Sequence, residues 1–348
     1  MGEMPTRKLR PTLMDVARKA GVSRATASLV VRKSPLVSTE TRAAVEAAMA
    51  ELGYVYNVSA AGMRAARSRT IGVIIPNLSN PFFGVLLSGI DQVLDGAGLA
   101  TFIAHSAESA TKQDGFVTRM REHGADGLIV CPAAGTEPRF AEEIGAWGIP
   151  LVQVLRTVTP DQSNYVGMDQ AGGMGGAVAR LVELGHRRIG FVTANLHHSA
   201  HADRLNAFRT ALRNNGLAPA LELEIEPTHG DAAALAMDMA GRQGAPSAWI
   251  CHNDVIGLGL HRGFSDAGLM PGRDVSIIGF DNVAETDLVR PGLASVATEA
   301  AEIGTLAAQM LLKRIETPGA IFERETVLTR FIERGSVGAV HDQIKGVG

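Results

Sequence analysis

The chain has 348 residues, of which 46% are hydrophobic and 20% charged, and its formal net charge is −3. This composition excludes a disordered chain or a fibre, and the length favours two or three folded units. The sequence shows neither an apolar run long enough for a membrane span nor the apolar core of a signal peptide. Two cysteines, Cys131 and Cys251, follow strand-like runs. They indicate reduced, buried thiols and predict a cytoplasmic protein.

The charge is distributed unevenly along the chain. The first 69 residues contain 12 Lys and Arg against 5 Asp and Glu, a net charge of +7. The rest of the chain contains 21 against 31, a net charge of −10. A basic head on an acidic body favours a polyanionic partner for the head, and a merely soluble basic surface is the alternative.

Three short helices are predicted in this head. Thr12 and Asp15 have the spacing of a capping box, and Gly21 is placed to end the first helix. Ser23 is predicted to cap the second helix, and a third lies between 38 and 53. Two short helices joined by a tight turn with glycine, and supported by a third, predict a helix-turn-helix unit.

Apolar strands alternate with helices from Ile71 onward. One series runs from "TIGVIIPN" to "IPLVQVL", and a second runs from "DQAGGMGGAVARLVELGH" to "DVSIIGFDN". The alternation predicts parallel sheets with helices on both faces. Two series predict two similar lobes, with ligands bound at the carboxyl ends of the strands. The predicted fold is therefore a small all-α head and a two-lobed α/β core.

The sequence also predicts domain boundaries. We assign 1–56 to the head, 57–69 to a polar, Ala-rich linker, 70–335 to the core and 336–348 to a tail. Gly62 weakens any helix in the linker, so a helix there needs outside stabilisation. The tail lacks Leu heptads, so the sequence shows no sign of a tetramerisation coil.

Six motifs in chain order are similar to those of the lactose/galactose-repressor family of bacterial transcription regulators. They are "TLMDVARKAGVSRATAS", "ELGYVYN", "IGVIIPNLSNPFF", "GHRRIGFV", "HNDVIGLG" and "DVSIIGFDN", and they span nearly the whole chain. The resemblance implies a head that binds operator DNA as a homodimer. It also implies a core like that of periplasmic binding proteins, with a small effector between its lobes.

The second helix carries the predicted base contacts, because a recognition helix enters the major groove by its N-terminal half. Arg24 can donate two hydrogen bonds to guanine, and a contact with phosphate alone is the alternative. Leu29 stands where the family commonly has Arg, so it contacts thymine methyl groups or simply packs. The predicted DNA contacts of the head are Thr12, Ser23, Arg24, Ala25, Thr26, Ser28 and Leu29.

The resemblance extends the DNA contacts into the linker. In the family, a hinge helix that follows an Asn inserts an apolar side chain into the minor groove. The matching positions are Asn57 and Met63, and Arg64 can bond the groove or the phosphates. Ordinary packing of Met63 is the alternative. A short helix of this kind forms only with its twin and DNA, which couples folding to binding.

The resemblance also places the effector contacts. Arg204 matches the family's ligand-clamping Arg, whose fork of donors suits vicinal hydroxyls or a carboxylate. The rings of Phe82 and Phe83 can stack on a ligand or pack in the core, and Asp281 can contact the effector or cap a helix. The predicted contacts are Asn80, Phe82, Phe83, Asp169, His198, Arg204, Asn253 and Asp281. A sugar fits this set best, and a ring such as a nucleobase is the alternative.

Other chemistry is less well supported by the sequence. The run "HHSAH" at 197–201 has loose spacing and, beyond Asp203, no partnering carboxylate pattern, so neither a metal nor a cofactor is predicted. Motifs for a catalytic triad, a dinucleotide or a phosphate loop are not recognised, which argues against an enzyme. A secreted solute-binding protein with the same core is the other alternative, and the basic head argues against it.

Overall fold

The computed structural model describes residues 11–31, 34–54 and 68–340, in two compact units divided between Ser68 and Arg69. The first unit, the head, contains helices α1 (Leu13–Lys19), α2 (Arg24–Val31) and α3 (Thr39–Leu52). Small buried side chains form its core, namely Val16, Ala17, Ala27, Val30, Val45 and Ala48. Burying small residues lets three short helices pack closely, and this confirms the predicted helical head.

The caps of the head lie where the sequence predicts them. The N–H of Asp15 donates to Oγ1 of Thr12 at 3.3 Å, and the N–H of Thr12 donates to the Asp15 carboxylate at 2.9 Å. This is a complete capping box. Gly21 follows α1 with a φ of +65°, and Oγ of Ser23 accepts from the N–H of Thr26 at 3.1 Å. The helix-turn-helix turn is therefore encoded locally.

The second unit, the core, consists of two six-stranded sheets. The first sheet has the order β11-β5-β4-β3-β1-β2 and is entirely parallel. Its strands are β1 (Thr70–Ile75), β2 (Ala100–His105), β3 (Gly127–Val130), β4 (Leu151–Val154), β5 (Asn164–Met168) and β11 (Arg324–Val327). Helices α4 (Pro81–Gly96), α5 (Ala110–Glu122), α6 (Arg139–Ala146) and α11 (Ala300–Glu316) pack with it as the first lobe.

The second sheet has the order β12-β10-β9-β8-β6-β7, and only the β10–β12 pair is antiparallel among these strands. Its strands are β6 (Ile189–Ala194), β7 (Leu221–Ile225), β8 (Ala248–Cys251), β9 (Ser276–Asp281), β10 (Ala294–Ala297) and β12 (Arg330–Ile332). Helices α7 (Gln170–Glu183), α8 (Ser199–Asn214), α9 (His229–Met239) and α10 (Asp254–Asp266) complete the second lobe, with a 3-10 turn at Ala284–Asp287. The predicted two-lobed α/β core is confirmed.

The chain passes between the lobes three times. The passages lie between β5 and α7, between β10 and α11, and between β11 and β12. The sequence suggests that each lobe is one continuous series of strands and helices. The structure shows instead that each lobe also receives a segment from the end of the chain. The last helix packs on α4, and β11 pairs with β5 at the edge of the first sheet. The returning segments bury apolar surface that the first series leaves uncovered.

The second lobe extends past residue 335, where the sequence places the start of the tail. Ser336 is buried, and its hydroxyl donates to the carbonyl of Ile277 at 2.6 Å. The N–H of Val340 donates to the carbonyl of Leu184 at 2.9 Å. Residues 336–340 thus belong to the packed unit. Within the described parts of the chain, we find no helix with the length and apolarity that crossing a membrane requires.

Candidate functional site

A cavity of about 520 Å³ lies between the two lobes, at the carboxyl ends of the parallel strands. This is the position that the doubly wound topology favours for ligands. Seven of the eight predicted effector residues line it: Asn80, Phe82, Phe83, His198, Arg204, Asn253 and Asp281. The topology therefore brings together residues that are up to 201 positions apart in the sequence.

Asp169 is the predicted residue that does not line the cavity. Its carboxylate caps α7 by accepting from the N–H of Gly172 at 2.9 Å. Its neighbour Gln170 lines the cavity instead. The effector contact of Asp169 stays a prediction, and Gln170 is a candidate that the sequence analysis misses.

Arg204 lies buried at the floor of the cavity, on α8. Its Nε donates to Oε1 of Gln170 at 2.8 Å, and one Nη donates to the carbonyl of His252. The guanidinium also lies over the ring of Phe280, 3.9 Å from its centroid. Burial lowers the pKa of Arg204 to about 10, and Asp281 partly offsets this effect, so the side chain stays charged at neutral pH. Its other Nη contacts only the sulfur of Met168, at 3.7 Å, among the described groups, and can donate to a ligand.

Asp281 ends β9 in a strained backbone conformation. Its φ is +116°, and that of Asn282 is +58°, both in the region that L-residues rarely adopt. The buried carboxylate of Asp254 supports this turn, since it accepts from the N–H of Val283 at 2.8 Å and from the hydroxyl of Ser295 at 2.6 Å. Burial raises the pKa of Asp281 to about 6, and Arg204 acts in the opposite direction.

The phenylalanine pair packs in the core, which is one of the two roles that the sequence leaves open, and stacking on a ligand stays a prediction. Phe82 and Phe83 are buried and belong to the hydrophobic core, yet they also line the cavity. Their rings meet edge to face, with centroids 5.4 Å apart. They therefore supply an apolar wall and do not form a parallel slot.

His198 and Asn253 begin helices whose N-termini point into the cavity region. Nδ1 of His198 accepts from the N–H of His201 at 3.1 Å, and Oδ1 of Asn253 accepts from the N–H of Ile256 at 3.0 Å. Nε2 of His198 is buried without a hydrogen-bond partner among the described residues. Burial is the largest effect that lowers the pKa of His198, and the positive charges of Arg156 and Arg204 add to it. The pKa falls to about 2, so the ring is neutral.

Glu108 and Arg156 are further cavity residues that the sequence analysis misses. The two side chains form a bidentate ion pair, with distances of 2.8 and 2.9 Å, in the wall of the first lobe. Glu108 has a φ of +58°, and the preceding Ala107 has +50°. They are 48 residues apart and belong to no common motif, so only their fold positions reveal the pair.

A histidine cluster adjoins the second-lobe side of the cavity. Oγ1 of Thr193 lies 3.2 Å from Nδ1 of His201 and 3.3 Å from Nδ1 of His252, which lines the cavity. On its other side, Nε2 of His201 lies 3.7 Å from Oε1 of Glu224, beside His197. The sequence shows no partnering carboxylate pattern here beyond Asp203, because Glu224 lies on β7, a separate element from the helix that carries His201.

The candidate DNA-facing surface of the head is the start of α2. Arg24, Ala25 and Leu29 are exposed, and Ser28 is half-buried on the same helix face. The side chains of Ser23 and Thr12 are engaged in capping their own helices. The hydroxyl of Thr26 lies 2.9 Å from that of Ser23. Asn57, Met63 and Arg64 lie outside the described residues, so their DNA contacts stay predictions.

Family models match both parts of the chain. Residues 12–57 match the bacterial regulatory proteins of the lacI family, and residues 178–337 match a periplasmic binding protein-like domain. The catabolite control protein A of Priestia megaterium is 31% identical over 306 residues, which cover 87% of this chain and 92% of that protein. The transcriptional regulator GntR of Escherichia coli K12 is 30% identical over 311 residues, which cover 89% of this chain and 93% of that protein.

Solved structures show the same architecture. The Lac repressor dimer bound to operator and the anti-inducer ONPF superposes with a TM-score of 0.84 and 26% identity, covering 95% of this chain and 100% of that one. The complex of the regulator CelR with cellobiose superposes with a TM-score of 0.71 and 27% sequence identity. The match covers 94% of this chain and 100% of that one. Such relatives are transcriptional regulators and not enzymes. With this likeness along both units, the chain belongs to the lacI family of bacterial regulatory proteins.

Proposed function

We propose that this regulator is a repressor that binds a quasi-palindromic operator as a homodimer, and that a sugar in the cavity controls its affinity for DNA. One observation carries the proposal. A single chain combines an exposed recognition-helix face with a cavity in which charged and polar side chains from both lobes converge. A ligand that bonds to both lobes alters their relative position, and such a change can be transmitted to the segment that leads to the head.

The chemistry of the cavity supports a sugar. Arg204, Asp281, Asn253 and Gln170 supply donors and acceptors, and sugar hydroxyls can serve as either. Two similar regulator structures contain cellobiose and ribose.

A purine is the second candidate effector. The transcriptional repressor PurR of Edwardsiella ictaluri is 28% identical over 332 residues. Phe82 and Phe83 are only 4% and 7% exposed, and this favours a sugar over the purine, since a flat base stacks best on an open ring face.

Exposed apolar side chains at the β2 edge of the first lobe support the homodimer. Val85 on α4 and Phe102 and Ile103 on β2 are each 50% exposed, and α4 packs on β2. β2 is an edge strand of the first sheet. Phe102 and Ile103 are consecutive in β2 and point to opposite faces of the sheet, so apolar side chains are exposed on both sides of this edge strand. Such an edge is suited to a second copy of the chain. The similar Lac repressor structure is a dimer.

In the proposed mechanism, the three segments between the lobes act as hinges. Effector binding closes the lobes, moves the linkers of the two protomers relative to each other and lowers the affinity for DNA. The opposite sign, with a co-repressor, is the second possibility. Because its partner is chromosomal DNA, the proposed regulator acts in the cytoplasm.

The proposal is tested with the full-length chain in two steps. A thermal-shift screen against sugars, polyols and purines identifies ligands, because a ligand that binds the native state stabilises it by mass action. Selection from a random duplex library, followed by anisotropy titration with and without the best ligand, then measures DNA binding. We expect a sugar to raise the melting temperature and to weaken the binding of the selected duplex.

Three results would contradict parts of this proposal. Absence of DNA affinity at low salt would favour a solute-binding protein. Stabilisation by purines alone would replace the sugar. Binding of the selected duplex by a monomer, measured by light scattering of the complex, would exclude the homodimer.

A further inference from the structure

Two histidines and one glutamate, none of them a predicted effector contact, bring three potential metal-ligand atoms together beside the cavity. His197 follows β6, His201 lies in the first turn of α8, and Glu224 is on β7. One nitrogen or oxygen from each residue lies within 4.8 Å of the others. The two histidines are 3.9 and 3.7 Å from the carboxylate, beyond ordinary hydrogen-bond distance.

These separations are close to those of a metal site. Ligand atoms at about 2.0–2.2 Å from a tetrahedral Zn²⁺ lie roughly 3.4 Å from one another. Side-chain rotations of His197 and Glu224, which are both exposed, can close the remaining gap. Two imidazole nitrogens and one carboxylate oxygen are the donors that Zn²⁺ and similar cations bind, whereas Mg²⁺ and Ca²⁺ prefer oxygen alone.

Buried His201 has the hydrogen-bonded support that metal-binding histidines require. Its Nδ1 lies 3.2 Å from the hydroxyl oxygen of Thr193, so a proton on Nδ1 leaves the lone pair of Nε2 directed to Glu224. The Thr193 hydroxyl is then free to donate to Nδ1 of His252, 3.3 Å away. A hydrogen-bonded chain therefore links the three-residue cluster to the cavity wall.

We propose that His197, His201 and Glu224 bind a divalent transition-metal cation of the Zn²⁺ type beside the effector cavity. The ion crosslinks the loop after β6, α8 and β7, and it leaves a coordination position for water. It also holds the segment that contains His198, a cavity residue. Through Thr193, it selects the tautomer of His252 that carries its proton on Nε2. The effect on an effector rests on the proposed function, whereas the binding of the ion does not.

The test uses the full-length chain, with any purification tag removed. Zn²⁺ is titrated by calorimetry, and Co²⁺ is followed by its visible absorption. We expect one ion per chain and at least tenfold weaker binding in His197→Asn and Glu224→Gln. Both residues are exposed, so these variants should fold like the wild type.

Matched controls separate this site from general surface binding. Glu222→Gln removes a carboxylate two positions earlier on the same strand, and His123→Asn removes a histidine of the first lobe. Both should bind Zn²⁺ like the wild type. Proton–nitrogen correlation spectra of the histidine side chains should show Zn²⁺ on Nε2 of His201 and a single tautomer for His252.

Two results would overturn the site: uptake of no Zn²⁺ by the wild type, or equal affinity in His197→Asn and Glu224→Gln. DNA binding is measured on the same samples. A chain that binds Zn²⁺ but no duplex would contradict the proposed function and leave the metal site standing. A chain that binds DNA but no Zn²⁺ would contradict the metal site and leave the proposed function standing.

Discussion

The side-chain amide of Asn80 in the first lobe donates a hydrogen bond to the carboxylate of Asp281 in the second, with Nδ2 and Oδ2 3.3 Å apart. Oδ1 of Asn80 also accepts from the N–H of Phe82 at 3.0 Å and so caps α4. One side chain therefore both starts a helix and connects the lobes across the cavity. The two roles can be separated by substitution.

Asn80→Ser should retain the cap and lose the bond between the lobes, whereas Asn80→Ala should lose both. We expect Ser to lower the free energy of unfolding by about 1 kcal/mol and Ala by about 1 kcal/mol more. Urea denaturation followed by tryptophan fluorescence measures this, because Trp147 and Trp249 report on the first and second lobe respectively. Equal losses in the two variants would show that the cap and the bond between the lobes are not separable.

The stability of the core should depend on pH through Asp281. Burial raises its pKa to about 6, above the ordinary value of 3.8, while Arg204 and the bond from Asn80 act in the opposite direction. The native carboxyl therefore takes up its proton at a higher pH than the unfolded one. Its stabilising contribution is complete below about pH 4 and is lost as the pH rises through about 6. The nearby buried Asp254 has its pKa raised as well, chiefly by burial.

Asp281→Asn tests this dependence, because an amide does not titrate. We expect the difference in unfolding free energy, wild type minus variant, to fall as the pH rises from 4.5 to 7. Urea titrations at several pH values measure it. A difference that increases over this range would mean that the native state prefers the ionised carboxylate.

A methyl group at position 279 should destabilise the second lobe. A Cβ at Gly279 would lie 2.0 Å from Oδ1 of Asp254, which is held by Ser295 and cannot move without breaking a 2.6 Å hydrogen bond. We expect Gly279→Ala to cost about 1–3 kcal/mol, the range for overpacking. Displacement of the Asp254 carboxylate should also disturb the turn at Asp281, because that carboxylate accepts a hydrogen bond from the N–H of Val283 in this turn.

Gly175→Ala is the matched control, since a Cβ there meets nothing within 4 Å and the residue lies inside α7. That variant should gain about 0.5–1 kcal/mol, because alanine favours the helix. Thermal and urea unfolding compare the two. Similar effects of both substitutions would contradict the packing argument.

The recognition face of α2 should read DNA through Arg24 and Leu29. Arg24→Ala should weaken binding to the selected duplex and relax a guanine preference by about 1–3 kcal/mol. Leu29→Arg should create a new guanine preference, because arginine donates to the O6 and N7 atoms of guanine. Sequencing of duplexes selected by each variant measures these preferences.

Arg18→Ala serves as the control for charge alone, since Arg18 lies on α1 and its side chain is 77% exposed. It should reduce affinity without changing the selected sequence. If Arg24→Ala lowers affinity equally for all duplexes, Arg24 contacts phosphate and not a base.

The sequence predicts the parts of this protein whose signals are local. The capping box of Thr12 and Asp15, and the positive φ of Gly21, depend on atoms within a few residues. The alternation of strands and helices predicts parallel sheets, and their carboxyl ends place Asn80 and Asp281 at one cavity. A general rule of topology suffices for that step.

Other features depend on where separate segments meet, and the sequence does not predict them. Glu108 pairs with Arg156 because the segments that follow β2 and β4 meet at the carboxyl edge of the first sheet, although β1 and β3 lie between those two strands. Glu224 meets His201 because β7 pairs with β6.

The sequence by itself determined the head, the two kinds of secondary structure, the family and seven of the residues that line the cavity. Local spacing and the periodicity of apolar residues carry that information. Only the tertiary structure decided that the last strands return to both sheets, that Asn80 bonds to Asp281, and that three side chains from β7 and the region of α8 converge. The physical reason is that hydrogen bonds and ion pairs act over a few ångströms in space. Residues far apart in sequence come within that range only after the sheets have formed and packed.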